Sequence, residues 1–127
     1  MSLDPGQARR VVELMALTAV VDGEADPDEA TLVQHLVETE PALAGVPDPG
    51  GAIDEARDRA MEIGVEACIR EVAAGVDAAH RELAFSCCGR VVCADSEIDD
   101  AELAVLTTLR EAFGLSMDDA RRLLSWS

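Results

Sequence analysis

The chain contains no lysine and no tyrosine, and it has one Trp and two Phe in 127 residues. Every one of its ten basic residues is Arg, set against 26 acids, for a formal net charge of −16. Affinity for a phosphate backbone comes from cationic side chains, so this balance argues against nucleic acid as a partner. Anionic lipid headgroups repel the same surface. With aromatics at 2%, the interior has to be built from Leu, Val, Ala and Met. Strands favour aromatic and β-branched residues, of which only Val is plentiful, so close-packed helices are expected.

Further absences narrow the function. No run of about 18 apolar residues is present to span a bilayer, so no direct membrane insertion is expected. The opening Met1 to Gly6 has neither a basic stretch nor an apolar core, and reads as no secretory signal. The four cysteines, Cys68, Cys87, Cys88 and Cys93, show no C-x-x-C spacing and no disulfide-scaffold density. A soluble, cytoplasmic chain is expected. A zinc site of Cys and His would need His35 or His80 brought in from elsewhere. No nucleophile triad spacing, phosphate-cradling glycine loop or H-E-x-x-H motif appears, so an enzyme is not expected.

What is present is 49% apolar sequence, enough for a real core in one domain spanning 1–127. Asp4 and Pro5 open a helix carrying Val11, Leu14, Met15, Thr18 and Val21 at spacings of three and four, ending near Asp22 and Gly23. Asp26 and Pro27 open a second, with Glu29 at the third helical position and Leu32, Val33, Leu36 and Val37 as its inner stripe. Pro41 stops it, and the three Pro and three Gly between Pro41 and Gly51 read as a surface loop. A third helix is expected over about Ile53 to Ile63 and a fourth from Val65 to about Val76, with Gly64 either dividing them or carried inside one long helix.

Asp77 is read as the cap of a fifth helix, with His80 at its third position. That helix holds Leu83, Ala84, Phe85, Cys87, Cys88, Val91, Val92 and Ala94, apolar nearly all round, and is expected to be central. Asp99 caps a sixth, with Glu102 at the third position and Leu103, Leu106, Leu109 and Phe113 inward; Ile98 is placed to pack on Leu103. Gly114 ends it. Ser116 caps the last helix, with Asp119 at the third position and Met117, Ala120 and Leu124 inward. The fold class is all-α, with about seven helices.

An acidic pattern repeats. Residues 22–29 and 95–102 both read D-x-E-x-D-x-x-E, at an offset of 73 residues (95 − 22). Each copy follows an apolar run and precedes a helical pattern. The same offset carries Leu14 onto Cys87, Met15 onto Cys88, Thr18 onto Val91, Val33 onto Leu106 and Leu36 onto Leu109. Two pseudo-symmetric helical hairpins joined by acidic turns are therefore expected.

The segments VVDGEADPDE at 20–29, CADSEIDDAEL at 93–103 and LREAFGLSMDDARRLL at 109–124 resemble the tellurite-resistance TerB-like family. That family also includes the N-terminal region of membrane-anchored DnaJ-like co-chaperones. The resemblance implies an all-helical fold in two pseudo-symmetric halves, a stress-associated bacterial protein, and acidic turns proposed to bind metal ions. Carried over, the metal positions are Asp22, Glu24, Asp26 and Glu29, with Asp95, Glu97, Asp99 and Glu102. Ser96 stands where the second turn of the family usually has Gly.

Two readings of these acids compete. Carboxylate oxygens are hard ligands suited to Ca²⁺, Mg²⁺ or Mn²⁺, and Zn²⁺ is the remaining divalent candidate. The spacing is not that of an EF-hand loop, which needs Gly at its sixth position and Glu at its twelfth. Alternatively, Asp26 and Asp99 are helix caps, Glu29 and Glu102 their capping-box partners, and Asp22 and Asp95 close Asx-turns. The expected function is thus a stress-associated binding module with a divalent cation on the turns. The alternatives are an adaptor whose acids serve as caps and as charge for a basic protein partner, and, third, a small carboxylate and metal enzyme. Cys87 and Cys88, adjacent on one helix, diverge by about 100° and read as buried apolar groups rather than as a bridge.

Overall fold

A computed structural model of the protein describes residues 4–19, 27–43, 45–46, 48–93 and 100–124. Over these residues the fold is all-α: α1 (Pro5–Ala19), α2 (Pro27–Thr39), α3 (Pro49–Ile63), α4 (Val65–Ala74), α5 (Arg81–Cys93), α6 (Asp100–Phe113) and α7 (Met117–Leu124). Short 3-10 turns at Pro41–Leu43 and Ala78–His80 join them, and no strand occurs among the described residues.

Helix α1 has its buried set, Ala8, Val11, Val12, Leu14, Met15, Ala16, Leu17, Thr18 and Ala19, on nearly every face. It packs against α2, α3, α4, α5 and α6. Helix α5 buries Ala84, Phe85, Ser86, Cys87, Cys88, Val91 and Val92 and packs against α1, α2, α6 and α7. The centre expected at α5 alone is therefore shared, with α1 touching more of the molecule. The third helix of each half lies on the first: α3 on α1, and α7 on α5. Helix α4 fills the remaining side against α1, α3 and α6.

The helix ends follow their local chemistry. Gly64 divides α3 from α4 with φ 91°, a conformation in which a Cβ would clash with the backbone. Gly114 takes φ 70° after α6, and the Leu115 N–H returns to the Arg110 carbonyl at 3.0 Å while the Gly114 N–H returns to that of Glu111 at 3.1 Å. This is the Schellman arrangement. Helix α7 opens on a reciprocal capping box: the Asp119 N–H donates to Ser116 Oγ at 3.0 Å, and the Ser116 N–H donates to the Asp119 carboxylate at 3.4 Å. The hydrogen bonds from Ser116 hold the Asp119 carboxyl below its usual pKa.

Several local expectations are corrected. The loop after Pro41 is not all surface: Leu43 is buried, and Val46 packs on the core. Helix α3 starts at Pro49 rather than Ile53, because Asp48 accepts the Gly51 N–H at 3.2 Å and Pro49 supplies a preset φ. The two glycines that suggested a loop sit inside its first turn. Asp77 makes no side-chain cap, and the chain enters α5 through the 3-10 turn. The Asp77 N–H is taken instead by Gln7 Oε1 at 2.8 Å, while Gln7 Nε2 donates to the Gly75 carbonyl at 3.0 Å, tying this connection to α1. Leu103 and Met117, expected inward, are exposed. Leu106, Leu109 and Phe113 on α6 and Ala120 on α7 are buried as expected, and Val105 and Leu123 join them.

Candidate functional site

Asp22, Glu24, Asp26, Asp95, Glu97 and Asp99 lie outside the described residues, as does Ile98. The backbones of Glu29 and Glu102 are placed, each as the third residue of its helix, α2 and α6. That is the register at which a capping-box acid stands. The offset of 73 residues holds for the elements themselves: Pro27 opens α2 and Asp100 opens α6 (100 − 27).

The helices that lead into the two turns meet. Thr18, next to the last residue of α1, lies in hydrogen-bonding reach of Cys88 on α5. Both segments thus leave from the carboxyl-terminal halves of one helix pair. The hydroxyl of Thr18 itself donates back to the Leu14 carbonyl at 2.8 Å. Burial pushes the Cys88 thiol up to about 12, against the lowering effect of Thr18. Burial likewise pushes Cys87 up to about 11, with the nearby Glu40 carboxylate adding to the rise and Arg90 opposing it. These thiols, with Cys68, are free and buried, and behave as packing groups.

The described residues contain a cleft of about 230 Å³ between α1, α3 and α4, which sequence reasoning did not single out. Its floor is Ala56, Cys68 and Val72, and its rim is Glu13, Glu55, Arg59 and Glu71. Arg9 pairs with Glu13 at 3.4 Å and also with Glu55, joining α1 to α3. Arg59 pairs with both Glu71 oxygens at 3.1 Å, joining α3 to α4. Burial raises the pKa of Glu13, with Arg9 and Arg10 working against the rise. Burial also raises the Cys68 thiol. Each rim carboxylate already has a guanidinium partner, and the volume is below that of a common small-molecule pocket. The arrangement acts as a clamp across three helices. Arg9 and Glu13 at i and i+4 were its one local sequence signal; the pairs of Arg9 with Glu55 and of Arg59 with Glu71 cross helices and leave none.

Among the described residues no group of three His, Cys, Asp or Glu side chains is arranged to hold a metal ion. None of the described helices is long and apolar enough to cross a membrane. The donor set of the two acidic segments, carboxylates throughout, suits hard cations on chemistry alone.

A crystal structure of a protein of unknown function from Porphyromonas gingivalis W83 shares the fold, with a TM-score of 0.54 and 17% identity over 98% of this chain and 92% of that one. Comparison with curated proteins gives no match. The family model described as tellurite resistance protein TerB matches residues 51–125, well over half of the sequence and inclusive of the second acidic segment, and the chain belongs to the TerB family.

Proposed function

We propose that this protein is a stress-associated binding module, and that its two acidic turns take a divalent cation. The observation that carries the reading is the pairing of two like segments. Each holds three acids at alternate positions with a fourth one helical turn on, and the helices feeding them touch at Thr18 and Cys88. Membership of a tellurite-resistance family supports a role in response to stress. Asp22, Glu24, Asp26 and Glu29 on one side, and Asp95, Glu97, Asp99 and Glu102 on the other, are the proposed ligands. Clustered carboxylates repel one another in the metal-free protein, and a bound cation relieves that repulsion. The net charge of −16 supports a partner with a basic surface. The role is binding, and no residue is assigned a catalytic one.

The test is thermal melting with Ca²⁺, Mg²⁺, Mn²⁺ or Zn²⁺ at fixed ionic strength. Native-state binding stabilises by about 2.7 kcal/mol at one hundred times Kd. A saturable gain that shrinks in Asp22→Asn and Asp95→Asn is expected. An equal gain in the double variant, or one reproduced by NaCl, would remove the metal from the reading and leave an adaptor whose acids are caps and charge.

A further inference from the structure

The two hairpins differ on the outer faces of their second helices. On α2 the exposed positions include Thr31, Gln34 and Glu38, a polar surface of the ordinary kind. Shifted by the repeat offset, these become Ala104, Thr107 and Glu111 on α6, and all three are exposed. Leu103 stands beside Ala104 and is 56% exposed. Thr107 donates its hydroxyl back to the Leu103 carbonyl at 2.9 Å, so its one donor is satisfied within the helix. The result is an uncharged stripe of Leu103, Ala104 and Thr107 in a chain where 28% of residues are charged. Exposed acids close both of its ends, Asp100 before and Glu111 after.

We infer that this face of α6 is a docking surface for an amphipathic helix with an apolar stripe and flanking Lys or Arg. The inference rests on the reading of the chain as a binding module for a basic partner, and it does not require the cation. The uncharged centre offers apolar contact, with Leu103 as the anchor, and Ala104 and Thr107 are small enough for another helix to approach. The acidic ends select the sign of the flanking charge. A second copy of this chain brings Asp100 and Glu111 of its own to the same place, on top of sixteen net negative charges, and is disfavoured.

The probe is a synthetic helical peptide of Leu and Lys at amphipathic spacing, titrated into the isotopically labelled full chain with chelator present. Amide shifts concentrated on residues 100–111, saturating and weakening with salt, are expected, with residues 27–39 little changed. Leu103→Ser, which removes the apolar contact without adding charge, should weaken binding by about tenfold, the loss of one buried leucine contact. Ala104→Arg, which adds bulk and a charge repelling the peptide, should do the same. Gln34→Asp on the equivalent face should bind like wild type. Shifts spread evenly over the acidic surface, or undiminished binding in both α6 variants, overturn the inference. So does a dimer seen by sedimentation that Leu103→Ser dissolves, because the occupant is then a second copy. Since chelator is present throughout, failure of the cation reading in the melting experiment leaves this result untouched, and the reverse also holds.

Discussion

The hairpins α1–α2 and α5–α6 keep one backbone scheme and fill it differently. At one pair of equivalent positions α1 buries Val12 and α5 buries Phe85; at the next two, Leu14 and Met15 face Cys87 and Cys88. Three side chains of middling size are matched by one large and two small, which conserves filling while changing shape. The ends differ too. Leu17 and Phe113 are both buried, whereas their counterparts Arg90 and Glu40 form an ion pair at 2.7 Å between α5 and the end of α2. The repeat thus keeps the helix register, with lengths of 15 and 13 residues for α1 and α5 and of 13 and 14 for α2 and α6, while side-chain size and polarity differ in compensating groups. The first hairpin spreads its core over aliphatic side chains; the second places it on Phe85, Phe113 and two buried thiols.

The thiols give the largest contrast. With Cys87 raised to about 11, its thiolate is about a thousandth of the population at pH 8, against about a quarter for a free cysteine. Native labelling of Cys87 should run about tenfold or more slower than in urea-unfolded chain, because the higher nucleophilicity of a high-pKa thiolate offsets part of its scarcity, and Cys88 slower still. Timed alkylation with mass spectrometry reads both. Fast native labelling of either would make the second hairpin a candidate redox sensor.

Next comes the core. Phe85→Ala should cost about 3–5 kcal/mol and Val12→Ala less, about 1.5–3 kcal/mol, by urea denaturation. Equal losses would mean that the second hairpin does not lean on the Phe85 ring.

The all-helical class, the seven helices and the register of the repeat were legible because they rest on period and on caps. Gly114 and the Ser116 and Asp119 box act on their immediate neighbours, so sequence carries them whole, whereas Gly64 left a break and a continuous helix both open until the structure showed the break. The misread residues are decided by distant contacts or by one local bond that composition hides. Asp77 has the right residue type for a cap, yet its carboxylate caps nothing, and its backbone N–H is tied to Gln7, 70 residues away. Leu103 and Met117 fit an apolar stripe by spacing, but the neighbours of α6 and α7 cover the adjoining Val105 and Leu123. Gly50 and Gly51 argue for a loop by composition, and the carboxylate of Asp48 overrides them by one hydrogen bond. The cleft between α1, α3 and α4 was invisible for the same reason, since its ion pairs join separate helices. The proposed cation ligands were read from sequence alone, and six of the eight lie outside the described residues.

A smaller effect attaches to the ion pair. The side chains of Arg90 and Glu40 are 33% and 15% exposed, between the surface and buried cases. Removing one partner, as in Arg90→Ala, should cost about 1–3 kcal/mol. Replacing both by Leu restores the apolar character of the equivalent Leu17 and Phe113, and should recover most of that loss. A double-mutant cycle by urea denaturation measures the coupling. A double variant as unstable as the two single losses added would show no coupling, so that the two side chains do not act as a pair.

The smallest expected effects lie at one pair of equivalent positions, Glu13 and Ser86. Ser86 is 6% exposed and its hydroxyl has no hydrogen-bond partner among the described residues. Ser86→Ala removes a stranded polar group and adds helix propensity, so a gain of about 1 kcal/mol is expected. Glu13 has its proton affinity raised by burial, with Arg9 and Arg10 opposing. A carboxyl whose folded pKa lies above its unfolded value gives its full contribution below the unfolded value, and loses it as pH rises through the folded one. Glu13→Gln imitates the protonated form at every pH. The variant should therefore gain on wild type between pH 4 and pH 7, by less than the Ser86→Ala gain. Urea midpoints across that range supply the slope. A variant that instead falls behind as pH rises would show that the pair with Arg9, and the clamp it belongs to, outweighs burial, which would set the cleft of the first half apart from the stranded hydroxyl of the second.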